Sequence, residues 1–392
     1  MKTMSTLILT LCLPLAISAQ RAVLPFELLE DKYVLLKLSV KGEATPLTFY
    51  FDTGASTTIL DKSVAEQYGI KPNHTQKVEG AGGSKEYHIA LSQTINLNSE
   101  LQIGNVNIVL EDLSRLNNAF EKKFDGIIGN DIIKDYITKI DFQRRVISLY
   151  NLSETLNTEG YTEVPFEFKL GVPIPQFPIR IKLENGEVFD GDVFFDSGAG
   201  LSLLINTPYK EQHKLIEKIG KTLVSSSDNL SKKSTVTTGM IKELTVAGFD
   251  FKDIPINLSS DKEGVSSFPN YLGILGSEII NRFDIILNYE THKLYLRPNN
   301  LFSKEFEKLI SPISIQRVNN EIVVTRIIVN SEAYQKGLRE GSKIMSINKN
   351  NTGDLEQYRQ MLKQKGKTVK IGYKAPNSDE EKTIKIKLKE LL

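Results

Sequence analysis

Residues 49–56 read FYFDTGAS, and residues 193–200 read VFFDSGAG. Each is an apolar strand that runs into an acid, a hydroxyl residue and a glycine. One such segment has an ordinary explanation, since Asp, Ser, Thr and Gly are common where a strand ends in a turn. Two of them, embedded in matching surroundings, do not.

The surroundings match at measurable intervals. Gly129 of DGIIGND follows Asp52 by 77 residues (129−52), and Gly276 of LGILGSE follows Asp196 by 80 (276−196). From those glycines to the pairs Asp141-Phe142 and Asn288-Tyr289 the separation is 12 in both cases (141−129 and 288−276). Leu24-Pro25-Phe26-Glu27 is echoed by Val164-Pro165-Phe166-Glu167, and Lys37-Leu38 by Lys182-Leu183. An internal duplication follows.

Within each copy, short runs rich in β-branched and aromatic residues alternate with polar turns, as in TPLTFYF, TINLNSELQIGNVNIVL and RRVISLY, which predicts many short strands. Helices are expected only over Asp61–Tyr68 and Tyr209–Ile219. The fold class is therefore mainly β, with two pseudosymmetric lobes covering 20–150 and 164–297. The polar stretch 151–163 crosses between them, and a second break falls between Arg297 and Pro312, where RPNN leads into the amphipathic run FSKEFEKLI.

Two such lobes facing each other bring Asp52 and Asp196 to one interface. Carboxylates about 3 Å apart do not both ionise cheaply, so the pair retains one proton and titrates as a unit. Gly54 and Gly198 let the backbone turn beneath each acid where a side chain would collide. Thr53 and Ser197 are expected to hydrogen-bond across the interface and fix the two loops. The apolar pairs Ile127-Ile128 and Ile274-Leu275, each flanked by glycine, are expected to pass beneath the acids and hold them rigid.

On these motifs the chain resembles the aspartic proteases from about residue 24 to 297. Ala55 and Ala199, three residues after each acid, are similar to the retroviral-type branch. The resemblance implies polypeptide substrates, no cofactor, no metal and no covalent intermediate. Asp52 and Asp196 would act as general acid and base on a water lodged between them. It also implies a cleft covered by a β-hairpin flap, for which Gly80-Ala81-Gly82-Gly83 is the candidate tip and Tyr87 a candidate aromatic. The corresponding region near Ser225–Lys233 lacks glycines, and no second flap is expected there. The alternative is a non-catalytic peptide-binding or scaffold protein that keeps the same shape.

From about residue 311 to 392 the texture changes. The run Ala333–Asn348 resembles a PDZ domain: a short helix opening at Ala333 and ending at Gly337-Leu338, a turn at Gly341, then a strand through Ile344 and Ile347. A helix over Asp354–Lys363 and strands in TVKIGY and TIKIKLKEL complete a small α+β unit. The resemblance implies peptide capture by strand addition, although Ile313-Ser314-Ile315 lacks the glycine expected for holding a terminal carboxylate, so docking on the protease is the competing role.

Composition narrows the partners. The chain of 392 residues balances 49 Lys plus Arg against 48 Asp plus Glu, so no net positive field draws it to nucleic acid or anionic lipid. His74, His88, His213 and His292 form no metal-ligand spacing, and no serine sits in a nucleophile elbow. Residues 1–19, with Lys2, the apolar run Leu7–Ile17 and Ala19, read as a secretory signal peptide that is too short to span a membrane. The single cysteine, Cys12, falls inside it, so the mature chain is expected to be thiol-free, exported, and located in a bacterial periplasm or the medium.

Overall fold

The structure, a computed structural model, describes residues 20–41, 45–80, 83–120, 122–228 and 233–392. The expected signal peptide, residues 1–19, lies outside the described residues, as do Ala81 and Gly82 of the glycine run.

In the first half, the strand Leu47–Phe51 ends at the first acid. It pairs in parallel with Gly126–Ile128, whose other edge runs antiparallel to Ile59–Asp61, and that strand in turn lies parallel to Gln102–Glu111. The second half repeats this crossing. Val188–Phe195 pairs in parallel with Gly273–Leu275, which runs antiparallel to Leu203–Ile205, itself parallel to Phe249–Ser259. The central strand of each crossing begins with glycine because nothing larger fits. A β-carbon on Gly126 would strike the Phe49 ring and the Ile59 carbonyl, and one on Gly273 would strike the Leu204 carbonyl.

The halves are joined by six strands lying side by side: Thr162–Pro165, Lys293–Pro298, Phe283–Asn288, Ile137–Asp141, Val146–Tyr150 and Gln20–Leu29. At the centre Ile285 faces Ile140, and the order outward is the same on both sides. The echoed segments 24–27 and 164–167 thus occupy the two outer positions, with Leu24, Phe26, Val164 and Phe166 buried.

Each half also raises a hairpin. In the first, His74–Gly80 pairs with Gly83–Asn96 in a register that closes at Gly80 opposite Gly83. In the second, Leu223–Asp228 pairs with Lys233–Val246, from Leu223 opposite Thr238 to Asp228 opposite Lys233. No second flap is expected near Ser225–Lys233 for want of glycine; a hairpin nevertheless forms there, because the Ser- and Thr-rich arms pair from Leu223 through Asp228.

The first predicted helix forms over Lys62–Gln67, capped by Asp61, whose carboxylate accepts from the Ser63 amide at 2.9 Å. The second is broken into Thr207–Gln212 and Leu215–Lys218, because Lys214 adopts a left-handed backbone (φ 51°). A helix over Ser114–Phe120, not anticipated from the sequence, follows the strand Gln102–Glu111.

The C-terminal domain is a five-stranded sheet with its own core of Ile, Val, Leu and two buried tyrosines, Tyr358 and Tyr373. Its short helix spans Glu332–Gln335, capped by Ser331, and its longer one spans Leu355–Leu362, capped by Asp354. The segment leading into it is anchored. Phe302 and Phe306 pack beside Phe251, and Arg282 lies 4.0 Å over the Phe306 ring while donating to the carbonyls of Leu301 (3.2 Å) and Phe302 (3.0 Å). The strand Ile313–Val318 then packs on the helix Ser114–Phe120, and Glu321–Ile327 packs on Leu223–Asp228.

Candidate active site

The acid loops are held from below by the apolar pairs. The Asp52 amide donates to the Ile128 carbonyl at 3.0 Å, and the Asp196 amide to the Leu275 carbonyl at 3.1 Å. Immediately beyond, Gly129 and Gly276 lie so close to the carbonyls of Ala55 and Ala199 that a β-carbon would collide, and the next amides, Asn130 and Ser277, donate to those same carbonyls at 2.7 and 2.8 Å. Each loop is thereby pinned at its acid and again three residues later.

The two loops interlock. The Thr53 amide donates to Ser197 Oγ at 3.0 Å, the Ser197 amide donates to Thr53 Oγ1 at 2.9 Å, and Thr53 Oγ1 donates onward to the Phe195 carbonyl at 2.8 Å. Thr53 is fully buried and Ser197 is 5% exposed, so these hydroxyls are structural and out of reach of a ligand. The glycines complete the approach: a β-carbon on Gly54 would overlap the Asp196 carboxyl, and one on Gly198 the Asp52 carboxyl. The acids themselves retain partial access to solvent.

The carboxyls of Asp52 and Asp196 face each other, each packed against the glycine of the opposite loop. Gly54 N donates to Asp52 Oδ1 at 2.7 Å, and Gly198 N and Ala199 N donate to Asp196 Oδ1 at 2.9 and 3.0 Å. Burial pushes both acids above the usual carboxylate range. For Asp196 the neighbouring Asp52 charge adds to burial, and the pair holds one proton in common. Such a pair presents one acceptor and one donor to whatever lies between them.

Tyrosines that the strand pattern did not single out reinforce the second loop. Tyr50, two residues before Asp52, donates its hydroxyl across the interface to the Gly198 carbonyl at 2.7 Å, and burial holds its pKa well above normal, so it remains a donor. Tyr33 packs edge-on against it with ring centroids 5.5 Å apart, and a β-carbon at Gly200 would collide with the Tyr33 hydroxyl. Lys32, which pairs with Glu278, also reaches the Gly200 carbonyl at 3.5 Å. Asp131 accepts from the Thr58 amide and hydroxyl, both at 2.9 Å, bracing the first loop from within its own half.

Of the candidate flap residues, Gly80 and Gly83 form the closing pair of the first hairpin, and Ala81 and Gly82 lie outside the described residues. Tyr87 is buried on the same hairpin in a cluster with Tyr50, Ile89, Leu113 and Ile127, beside Ala55. In the C-terminal domain, Arg359 on the helix Leu355–Leu362 approaches the Ile315 carbonyl with two nitrogens at 3.4 Å and Glu30 at 3.5 Å. That contact ties the domain to the first half across the groove between helix and strand. Among the described residues, no cluster of three or more His, Cys, Asp and Glu that could hold a metal ion is assembled, and no helix is long and apolar enough to cross a membrane.

Residues 36–132 match the aspartyl protease family, and residues 310–374 match the PDZ domain family. The chain thus carries an aspartyl protease-like region and, C-terminal to it, a region that matches PDZ domains. No curated protein matches it. The protease match takes in Asp52, the first hairpin and the pair Ile127-Ile128, but ends before the second half. Asp196 therefore enters the site through the repeated strand crossing and the hydrogen bonds just described. The aspartyl protease and PDZ domains together support a protease-like function with polypeptide substrates.

Proposed function

We propose that this protein is an aspartic endopeptidase in which Asp52 and Asp196 activate a water molecule by general acid and base catalysis. The observation that carries the reading is the close approach of the two acid loops, with each carboxyl against the other loop's glycine and both loops held by the reciprocal bonds of Thr53 and Ser197. Asp52, ionised, takes a proton from the water as its oxygen attacks the scissile carbonyl carbon. Asp196, protonated, donates to the carbonyl oxygen, giving a neutral diol. The proton on Asp52 then passes to the departing nitrogen, the C–N bond breaks, and the remaining diol proton returns to the pair. All charge stays within one shared-proton unit, so neither a covalent intermediate nor an added group is needed.

Asp52→Asn should abolish cleavage of unfolded polypeptide substrates while leaving the melting transition cooperative. A statine-type mimic of the diol should bind the wild-type protein saturably and lose affinity in that variant. Turnover that persists unchanged in Asp52→Asn overturns the assignment, and binding without turnover in the wild type favours the scaffold alternative.

We also read residues 1–19 as a signal peptide removed on export to a bacterial periplasm or medium. The apolar run Leu7–Ile17 followed by Ala19 supports this. The N-terminal sequence of the secreted protein should begin near Gln20.

A further inference from the structure

The two hairpins hold the same place in their halves and differ in what flanks them. Each half lays down its strands in the same order outward from the acid strand, and the last arm is His74–Gly80 in the first and Leu223–Asp228 in the second. On the first arm, His74, Thr75, Gln76 and Lys77 are exposed. The second arm is backed by the C-terminal domain: strand Glu321–Ile327 packs on it, and the Val329 amide donates to the Val224 carbonyl at 3.0 Å.

The same domain is fastened to the first half. Strand Ile313–Val318, the outer strand of its sheet, packs on the helix Ser114–Phe120. Leu113 and Leu116, at the start of that helix, join the cluster of Tyr50 and Tyr87 beside Ala55 of the first acid loop. Arg359 reaches from the helix Leu355–Leu362 to the Ile315 carbonyl at 3.4 Å and to Glu30 at 3.5 Å. A peptide adding to the outer edge of this strand would have to displace Arg359 from that carbonyl.

The junction with the second hairpin is light. Val224 and Val329 remain 40% and 42% exposed, and both line a crevice of about 530 Å³ between the second half and the domain. Lys221, Lys387 and Lys389 also line it, and its one acid, Glu332, is paired with Lys336. A single backbone hydrogen bond beside two exposed valines is a contact that can open and close, as contacts between domains of one chain commonly do.

We infer that the C-terminal domain is a brace, fastened to the first half and gripping the second hairpin, which holds that hairpin as a fixed wall while its counterpart in the first half has no such restraint. Substrate then enters past the first hairpin. That consequence rests on the protease reading; the brace itself does not.

Hydrogen exchange of the backbone amides of Leu223–Asp228, followed by mass spectrometry on the full chain, tests the brace without turnover. Val224→Lys with Val329→Lys adds two like charges to a crevice that is already cationic. Exchange of the second arm should rise about fivefold or more, equivalent to about 1 kcal/mol, and exchange of His74–Gly80 should stay unchanged. Val224→Lys with Val329→Glu faces the same new lysine with an opposite charge and should restore slow exchange. Arg359→Glu, which repels Glu30 at the other end, should release the arm in part. Both valines are exposed, so these chains should keep a cooperative melting transition. Unchanged exchange in the doubly cationic variant, or equal release by the like-charged and opposite-charged pairs, overturns the inference. Release of the arm as expected, in a protein that cleaves no fluorogenic peptide, would count against the protease reading and leave the brace standing.

Discussion

The two acid loops are copies in backbone and unlike in what surrounds them. The first loop is braced from its own half, by Asp131 on Thr58. The second is braced from the opposite half, by Tyr50 on Gly198 and by Lys32 on Gly200 and on Glu278, which occupies the position in LGILGSE that Asp131 occupies in DGIIGND. At the site of Tyr50 the second copy has Phe194, which has no hydroxyl to offer in return. A shared ancestor supplied the symmetry of position, and divergence of the side chains removed the symmetry of environment. The two carboxyls therefore stand in unlike surroundings before any substrate arrives.

The largest test of that difference is at the acids. Asp52→Asn and Asp196→Asn should each lower kcat by about 10²–10⁴-fold or more, measured on a fluorogenic peptide. Their stabilities should respond to pH in a definite direction. Burial raises both native carboxyl pKa values above the ordinary 3.8, so the native state binds more protons than the unfolded chain. The resulting stabilisation is complete below the unfolded value and is lost as pH climbs through the raised native values. Asp196→Asn lacks that loss, and its melting temperature should exceed that of the wild type by a margin that widens from acid toward neutral pH. A margin that narrows instead would contradict the assignment of the raised pKa to Asp196. Activity of the wild type should be bell-shaped, because both the fully protonated and the fully ionised pair lack one partner.

A smaller effect is expected at the interlock. Thr53→Val leaves the buried Ser197 amide without its acceptor and should cost about 1–3 kcal/mol in urea unfolding. Tyr50→Phe sharpens the comparison by making the two strands alike. It should cost about 1 kcal/mol and bring the pH profiles of the two Asn variants closer together. Smallest is Lys32→Ala. Its ion pair with Glu278 is partly exposed, at 31% and 22%, and its loss should cost under about 1 kcal/mol, with most of that effect gone at high salt.

The sequence disclosed the repeated strand crossing because that crossing is written in small residues at fixed intervals: only glycine fits at 126, 129, 273 and 276. It disclosed the helix at Lys62–Gln67 through the capping Asp61. It did not disclose the break at Lys214, because EQHKLIEK is a continuous run of helix-compatible residues with no glycine to mark the left-handed turn that precedes the buried Leu215. The second hairpin escaped notice because its signal is cross-strand pairing of polar residues, which composition does not record. Tyr50 escaped because an apolar pattern treats tyrosine and phenylalanine as equal, and the hydroxyl matters only once the opposite half is in place.

Phe302 and Phe306 close off the aromatic patch formed by Phe249, Phe251 and Phe283, although by sequence they belong to neither neighbouring domain. A shortened protein ending at Pro298 would strip that cover, leave Arg282 stranded and expose greasy surface. The minimal independently stable catalytic fragment should therefore extend past residue 306, and stopping where the duplicated halves end should yield an insoluble product.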